Sequence, residues 1–229
     1  MSDQVQAVST KETPLFTVPN IRLCKVNDAN KITELVNEAF MKDAFFKHRT
    51  HFLRMKEDGS TALSILKSTR SIFLAYECSD KCELLGCIKI DLDPRYVTEV
   101  TEERKSKESI TELDLNSTDG NYNIYNTSFG MLSVPEKNSG GGIGSMLLKA
   151  MEEYVTKMAK IVGKRKVQIS MPLISLRSDL LKFYEKRGYS FWKETNLDEG
   201  DTEMVLQKYM EKIKFLWYHK IIETQCSLD

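Results

Sequence analysis

Between Val134 and Leu148 an apolar strand ends, a glycine-rich turn follows, and a helix starts with no linker: Val134-Pro135-Glu136-Lys137-Asn138-Ser139-Gly140-Gly141-Gly142-Ile143-Gly144-Ser145-Met146-Leu147-Leu148. Glycine adopts positive φ without a Cβ penalty and lets the backbone come close to a ligand. The first turn of the helix adds N–H groups with no intrahelical partner and the positive end of the helix dipole. Phosphate-binding turns are built this way. A flexible loop in front of a core helix has the same composition, so the glycines do not decide between the two.

Two nucleotide templates fail on it. A G-x-G-x-x-G/A fingerprint started at Gly140 or Gly142 needs Gly or Ala at Ser145 or Leu147, and no βαβ unit opens the chain. A Walker turn needs Gly-Lys-Ser/Thr, and Ser145-Met146 follows Gly144 instead.

The elements around the turn can be read from periodicity. Residues 1–19 carry Pro14 and Pro19 and no repeat pattern, which predicts a flexible leader. Ile21 to Val26 alternates as a half-buried strand, and Asn27-Asp28 offers an N-cap for a helix from Ala29 to Met41. A second helical region with Phe45, Phe46, Phe52, Leu53, Met55, Leu63, Ile65 and Leu66 is interrupted at Asp58-Gly59-Ser60, giving two short helices. Ser71 to Glu77 and Glu83 to Leu92 read as a hairpin. Asp93 to Gly120, with the run Glu102-Glu103-Arg104-Lys105-Ser106-Lys107-Glu108, reads as a solvated insertion, bounded at 93–121.

Strand chemistry returns from Tyr122 to Val134, where Gly130 predicts a bulge or a close backbone approach. After the turn, Ile143, Met146, Leu147, Ala150, Met151, Tyr154, Val155, Met158 and Ala159 form a helical stripe that stops at Gly163. Val167 to Met171 is a strand stopped by Pro172, and Leu176 to Tyr184 a helix ending at Lys186-Arg187-Gly188. Tyr189 to Lys193 and Thr202 to Tyr209 are the last strand candidates. Ile213 to Ile222 is too apolar for a free tail and is expected to pack on the domain or on a second copy of the chain. The domain map is thus a leader over 1–19, a folded unit over 20–210 and an apolar extension over 211–229, the extension being a candidate homodimer surface.

Charge narrows the partners. Lys plus Arg and Asp plus Glu are 33 each, so no net field attracts nucleic acid or an anionic membrane. No signal-peptide pattern and no apolar run of membrane-spanning length is present, which predicts a cytoplasmic or nuclear protein without membrane association. Cys24, Cys78, Cys82, Cys87 and Cys226 are an odd set with no paired metal knuckle, so reduced thiols and no metal are expected.

The turn together with Leu181-Lys182-Phe183-Tyr184-Glu185-Lys186-Arg187-Gly188-Tyr189 downstream resembles the GNAT superfamily of acyl-CoA-dependent N-acyltransferases. That family carries a (Gln/Arg)-x-x-Gly-x-(Gly/Ala) turn and a FYEKxGF-like helix end, in this order, and the resemblance runs from about Ile21 to Tyr209. It implies a mixed α/β fold with a central, mostly antiparallel sheet that splays between its fourth and fifth strands. It also implies acetyl transfer from acetyl-CoA to a primary amine by direct attack. Gly142 and Gly144 match the family's glycines, whereas Ser139 replaces the usual Gln or Arg and Gly141 stands where a basic residue is common. Backbone amides must therefore do most of the diphosphate binding.

The resemblance implies roles residue by residue. Ser139, Gly140, Gly141, Gly142, Ile143, Gly144 and Ser145 would hold the diphosphate, with the Ser145 hydroxyl as an extra donor. Met131, Leu132, Ser133 and Val134 would line the pantetheine arm, and the Leu132 N–H would polarise the thioester carbonyl. Tyr184 would touch the cofactor and protonate the departing thiolate. By periodicity alone it is a packing residue; the motif turns the reading toward catalysis. Arg177, Lys182 and Lys186 are candidates for the 3′-phosphate.

No carboxylate or histidine lies on the strand from Tyr122 to Val134, so the base is sought among Tyr125, Ser128, Ser133 and Asp91. His48 and His51 lie in the region that lines the acceptor site in the family, but lone histidines on a mixed face are more often surface or core residues. A small-molecule amine is the expected acceptor. The alternatives are a protein N-terminus or lysine, or a CoA-binding interaction module without turnover.

Overall fold

The computed structural model describes residues 16–41, 53–78, 80, 82–96, 123–196, 209 and 212–224. Among them, seven strands form one sheet: β1 (Ile21–Leu23), β2 (Ser71–Cys78), β3 (Glu83–Asp91), β4 (Ile124–Ser133), β5 (Lys166–Ile174), β6 (Ser190–Thr195) and β7 (Phe215–Glu223). Their spatial order is β1-β2-β3-β4-β5-β7-β6, antiparallel throughout except for the parallel pair β4–β5. This is the mixed, mostly antiparallel α/β fold that was expected.

Helices cover both faces. α1 (Ala29–Phe40) and α2 (Ser60–Lys67) bury Ile32, Leu35, Val36 and Ala62 with Met55 against Phe73, Ala75 and Cys87. On the other face α3 (Ile143–Ile161) presents Leu147, Leu148, Met151 and Val155 to Leu74, Ile88, Ile90, Tyr125, Val167 and Ile169. α4 (Ser178–Glu185) adds Tyr184 to the same core. Strand residues alternate between the two faces, so β3 sends Ile88 and Ile90 to α3 and Cys87 to α1 and α2. Contact with α3 is close: a Cβ on Gly86 would lie 2.9 Å from Ile143 Cγ2 and 3.1 Å from Leu147 Cδ1, so only glycine fits there.

Three sequence expectations are sharpened here. At the end of the leader predicted over 1–19, Phe16 and Val18 are buried and the Phe16 ring stacks on Tyr154 at 6.2 Å. β5 does not stop at Pro172 but continues to Ile174. Pro172 pairs with Trp217 of β7 and lies past Ser170, where β4 has already left, so its missing N–H removes no bond to β4. Finally, the segment mapped as an apolar extension, expected to pack on the domain or on a second copy, is β7, threaded between β5 and β6 with both edges bonded inside the chain.

The insertion predicted over 93–121 begins with an anchored Asp93, which is 1% exposed and accepts from Arg95 and from the Asn126 N–H. Residues 97–122, most of the second helical region with His48 and His51, and the strand candidate from Thr202 to Lys208 lie outside the described residues. Cys24, Cys78, Cys82 and Cys87 are unpaired thiols. Among the described residues no helix is long and apolar enough to cross a membrane, and no cluster of metal-ligating side chains occurs.

Candidate active site

β4 and β5 part halfway along their length. They pair from Ile124↔Lys166 to Ser128↔Ser170, after which β4 runs on to Ser133 and β5 to Ile174 without pairing. On its β5 side, the backbone of β4 from Phe129 to Ser133 therefore has no strand partner. On its other side β4 is bulged. Gly130 lies opposite Lys89 and Ser133 opposite Cys87, so three steps along β4 match two along β3. The irregular residue is Met131, with φ 49°, and not Gly130 next to it. A left-handed non-glycine residue is uncommon and marks a backbone held in place by its surroundings. Here the Ser133 hydroxyl donates to the Met131 carbonyl at 3.0 Å, and this bond occupies the Ser133 group proposed for base work.

The glycine turn lies just beyond. A short 3-10 turn over Glu136–Asn138 consumes the Asn138 and Ser139 amides on the Pro135 and Glu136 carbonyls, at 2.9 and 3.0 Å. The Ser139 hydroxyl also donates to the Glu136 carbonyl at 2.7 Å. At the far end, the Ser145 and Met146 amides bond the Gly142 carbonyl at 3.0 Å. Of the Ser139–Ser145 amides expected to hold an anion, the first and last are thus already used. The five from Gly140 to Gly144 make no hydrogen bond among the described residues. Gly140 and Gly142 have φ of 86° and 79°, and a Cβ on Gly140, Gly141 or Gly142 would meet nothing within 4 Å. Open space in front of unbonded amides at the start of a 19-residue helix is an arrangement that can hold an anion.

α4 seals one side of this space. Its Phe183 ring lies 3.8 Å from where a Gly144 Cβ would stand. Tyr184 packs on Phe129 of β4 and on Tyr189 with ring centroids 5.8 Å apart, and is 4% exposed. Its hydroxyl makes no hydrogen bond among the described residues. Burial pushes the phenol pKa well up, and the Arg177 and Arg187 guanidiniums pull it back in part. Tyr184 is therefore both the packing residue of the periodic reading and a protonated, unpartnered O–H beside two cations.

Sequence reasoning did not single out Arg187, and the structure brings it to the turn. Its guanidinium lies 3.6 Å over the centre of the Phe183 ring, donates to the Phe183 carbonyl at 2.6 Å and donates through Nη2 to the Ser145 hydroxyl. A guanidinium is in this way brought to the start of α3. A basic residue inside the FYEKxGF-like motif was the available signal. Arg177 pairs with Asp179 at 2.7 Å, while Lys182 and Lys186 are exposed.

The expected bases fare unequally. Tyr125 is fully buried; its hydroxyl accepts from the Asp93 N–H at 3.4 Å and burial raises its pKa, so it is no base. Asp91 accepts from Ser71 at 2.6 Å and pairs with Lys89 at 2.7 Å. Ser128 is half-buried. It stands in a row that register alone puts on one face of the sheet: Ser71, Asp91, Ser128, Ser170, His219 and Ser190 are successive partners across six strands. Sequence reasoning misses His219 because the apolar stretch that carries it gives no sign of being an inner strand.

No family model and no curated protein matches this sequence. Solved structures do match in fold. A GNAT-family acetyltransferase from Streptococcus pneumoniae is 14% identical, with 88% of this chain and 98% of that chain covered at a TM-score of 0.51. Ribosomal-protein-alanine N-acetyltransferase from Brucella melitensis is 14% identical over 88% and 99% of the two chains, at 0.51. Arabidopsis thaliana NAA60, solved in complex with a bisubstrate analogue, is 14% identical over 90% and 98%, at 0.53. The fold is that of the GNAT acetyltransferases.

Proposed function

We propose that the chain is an acetyl-CoA-dependent N-acetyltransferase that acetylates a primary amine by direct attack. The observation that carries this reading is the juxtaposition of five unbonded amides, Gly140 to Gly144, with the unpaired edge of β4 and the unpartnered Tyr184 hydroxyl. When bound, acetyl-CoA supplies the activated thioester carbonyl. The amides from Gly140 to Gly144 and the dipole of α3 hold its diphosphate, with Arg187 adding the positive charge.

The open β4 edge from Phe129 to Ser133 accepts the pantetheine arm as an added strand would be accepted, and the bulge at Met131 turns the Leu132 N–H toward the carbonyl oxygen. The amine nitrogen attacks the carbonyl carbon and the C–S bond breaks. Tyr184 gives its proton to the leaving sulfur and recovers one from the nitrogen, which sheds a proton as it becomes an amide. Burial keeps Tyr184 protonated at neutral pH, and Arg177 and Arg187 stabilise the phenolate left behind.

Small amines are the acceptors to try first, and protein N-termini second. Two measurements test the reading. Calorimetric titration with CoA is expected to show tight binding, and thiol release from acetyl-CoA is expected with at least one amine of a panel. Stronger thermal stabilisation by ATP with magnesium than by CoA would refute it, as would a diphosphate located away from Gly140–Gly144 in a CoA complex.

A further inference from the structure

The reaction just proposed leaves one proton without a carrier. A primary amine arrives as its ammonium at neutral pH, and it cannot attack until that proton has been removed. On the face opposite α3, β7 carries one histidine, His219, which is half-buried. His219 makes no hydrogen bond among the described residues, and its Nδ1 is buried with no partner at all. An imidazole nitrogen left buried and unbonded is costly unless something else bonds it in the working state.

Its position says what that is. His219 is the register partner of Ser170, and Ser170 is the register partner of Ser128, the last pair before β4 and β5 separate. His219 thus stands one strand behind the lip of the cleft, about 10 Å from β4 by two strand spacings. The residues between are small hydroxyls, and the Ser170 hydroxyl is bonded only at 3.4 Å, to the Thr127 carbonyl. Two strand spacings are too long for direct contact with an amine at the bulge and leave room for a short file of waters. The imidazole is stacked on Trp192 with ring centroids 5.7 Å apart and the planes 5° apart.

We propose that His219 is the general base: its imidazole takes the ammonium proton through water held on the Ser128–Ser170 row. This rests on the acetyl-transfer reading above. The balance is simple: the ammonium loses one proton to His219, which passes it to solvent, and Tyr184 and the nitrogen exchange the second as already described. The charged groups facing His219 along this side of the sheet are few. Lys193 of β6 lies over the far Trp192 ring at 4.7 Å, Asp91 and Lys89 form a pair on β3, and Lys166 and Glu223 pair at 2.9 Å at the end of β5 and β7. Ser190, Trp217, Gln168 and Ile221 complete the surroundings and do not titrate.

The test compares wild type with His219→Gln over pH 6 to 10, using acetyl-CoA with tyramine, spermidine, lysine and a short peptide with a free N-terminus. The expected result is a variant that binds CoA as wild type does and is slower by about a hundredfold at neutral pH. The gap should close toward pH 10, where the amine deprotonates without help. Ser170→Ala should show the same closing gap with a smaller amplitude. A variant at full speed, or one slowed equally at every pH, overturns the role of His219 while leaving acetyl transfer intact. Should His219→Gln lose CoA binding through misfolding, Ser170→Ala decides by the same criterion. Wild-type protein that binds no CoA, or acetylates none of the panel, overturns the acetyl-transfer reading and this inference with it.

Discussion

The two walls of the cleft are built by different means. The wall from Phe129 to Gly144 offers backbone: an unpaired strand edge, a left-handed Met131 and five free amides. The opposite wall, from Ser170 to His219, offers side chains: Tyr184, Arg187, Ser170 and His219. On the first wall the backbone carries the polar groups, and side chains such as Phe129 and Ile143 pack the core behind it. On the second the reverse holds, and the backbone serves only to place what projects from it.

The sharpest way to break this contrast is at Tyr184. Tyr184→Phe keeps the packing on Phe129 and Tyr189, so CoA affinity should stay within twofold while kcat falls by about a hundredfold or more. Wild-type kcat should also hold through pH 10, since burial raises the phenol above its ordinary value of 10.0. A parallel loss of affinity and kcat would make Tyr184 a packing residue alone. On the backbone wall, Gly142→Ala adds one methyl where nothing lies within 4 Å, yet φ of 79° is left-handed. That conformation costs an alanine about 1–2 kcal/mol, so CoA affinity should drop by about tenfold as the turn relaxes.

Arg187→Gln should weaken CoA by about fivefold, in line with about 1 kcal/mol for a partly solvated charge contact, and should flatten the salt dependence of binding. An unchanged salt dependence would return Arg187 to the role of a clamp between Phe183 and Ser145. The smallest effect is expected at Ser139, whose hydroxyl and amide are both spent on the Glu136 carbonyl. Ser139→Ala should leave CoA affinity within twofold, and a larger loss would give side chains a part in the backbone wall. The pH behaviour of His219→Gln, described above, completes the set from the side-chain wall.

The backbone wall was legible in the sequence because glycines announce positive φ and a helical stripe announces where the amides point. Even there, Gly130 drew attention away from Met131, since a left-handed methionine has no local signature and is imposed by the register of β3 against β4. The side-chain wall was legible only where a motif carried it, as at Tyr184. Arg187 needed the fold of α4 back onto the turn. His219 needed the knowledge that residues 215–223 pair with β5, a contact that no periodicity encodes. Ser139 reads from its type as a weakened phosphate ligand; its hydrogen bonds show that it shapes the turn instead.

The threading of β7 between β5 and β6 has a consequence for how the chain reaches this structure. β5, α4 and β6 are consecutive, and since each strand runs antiparallel to β7, β5 and β6 run parallel to each other. Consecutive parallel strands joined by a helix readily pair directly as a βαβ unit. If they do so here, the slot that β7 must occupy is closed before β7 arrives. The productive route keeps that slot open until Phe215 to Glu223 can enter. Dilution from denaturant should therefore divide the population between a fast track and one that must first unpair β5 from β6, with the slow fraction growing when β7 entry is delayed.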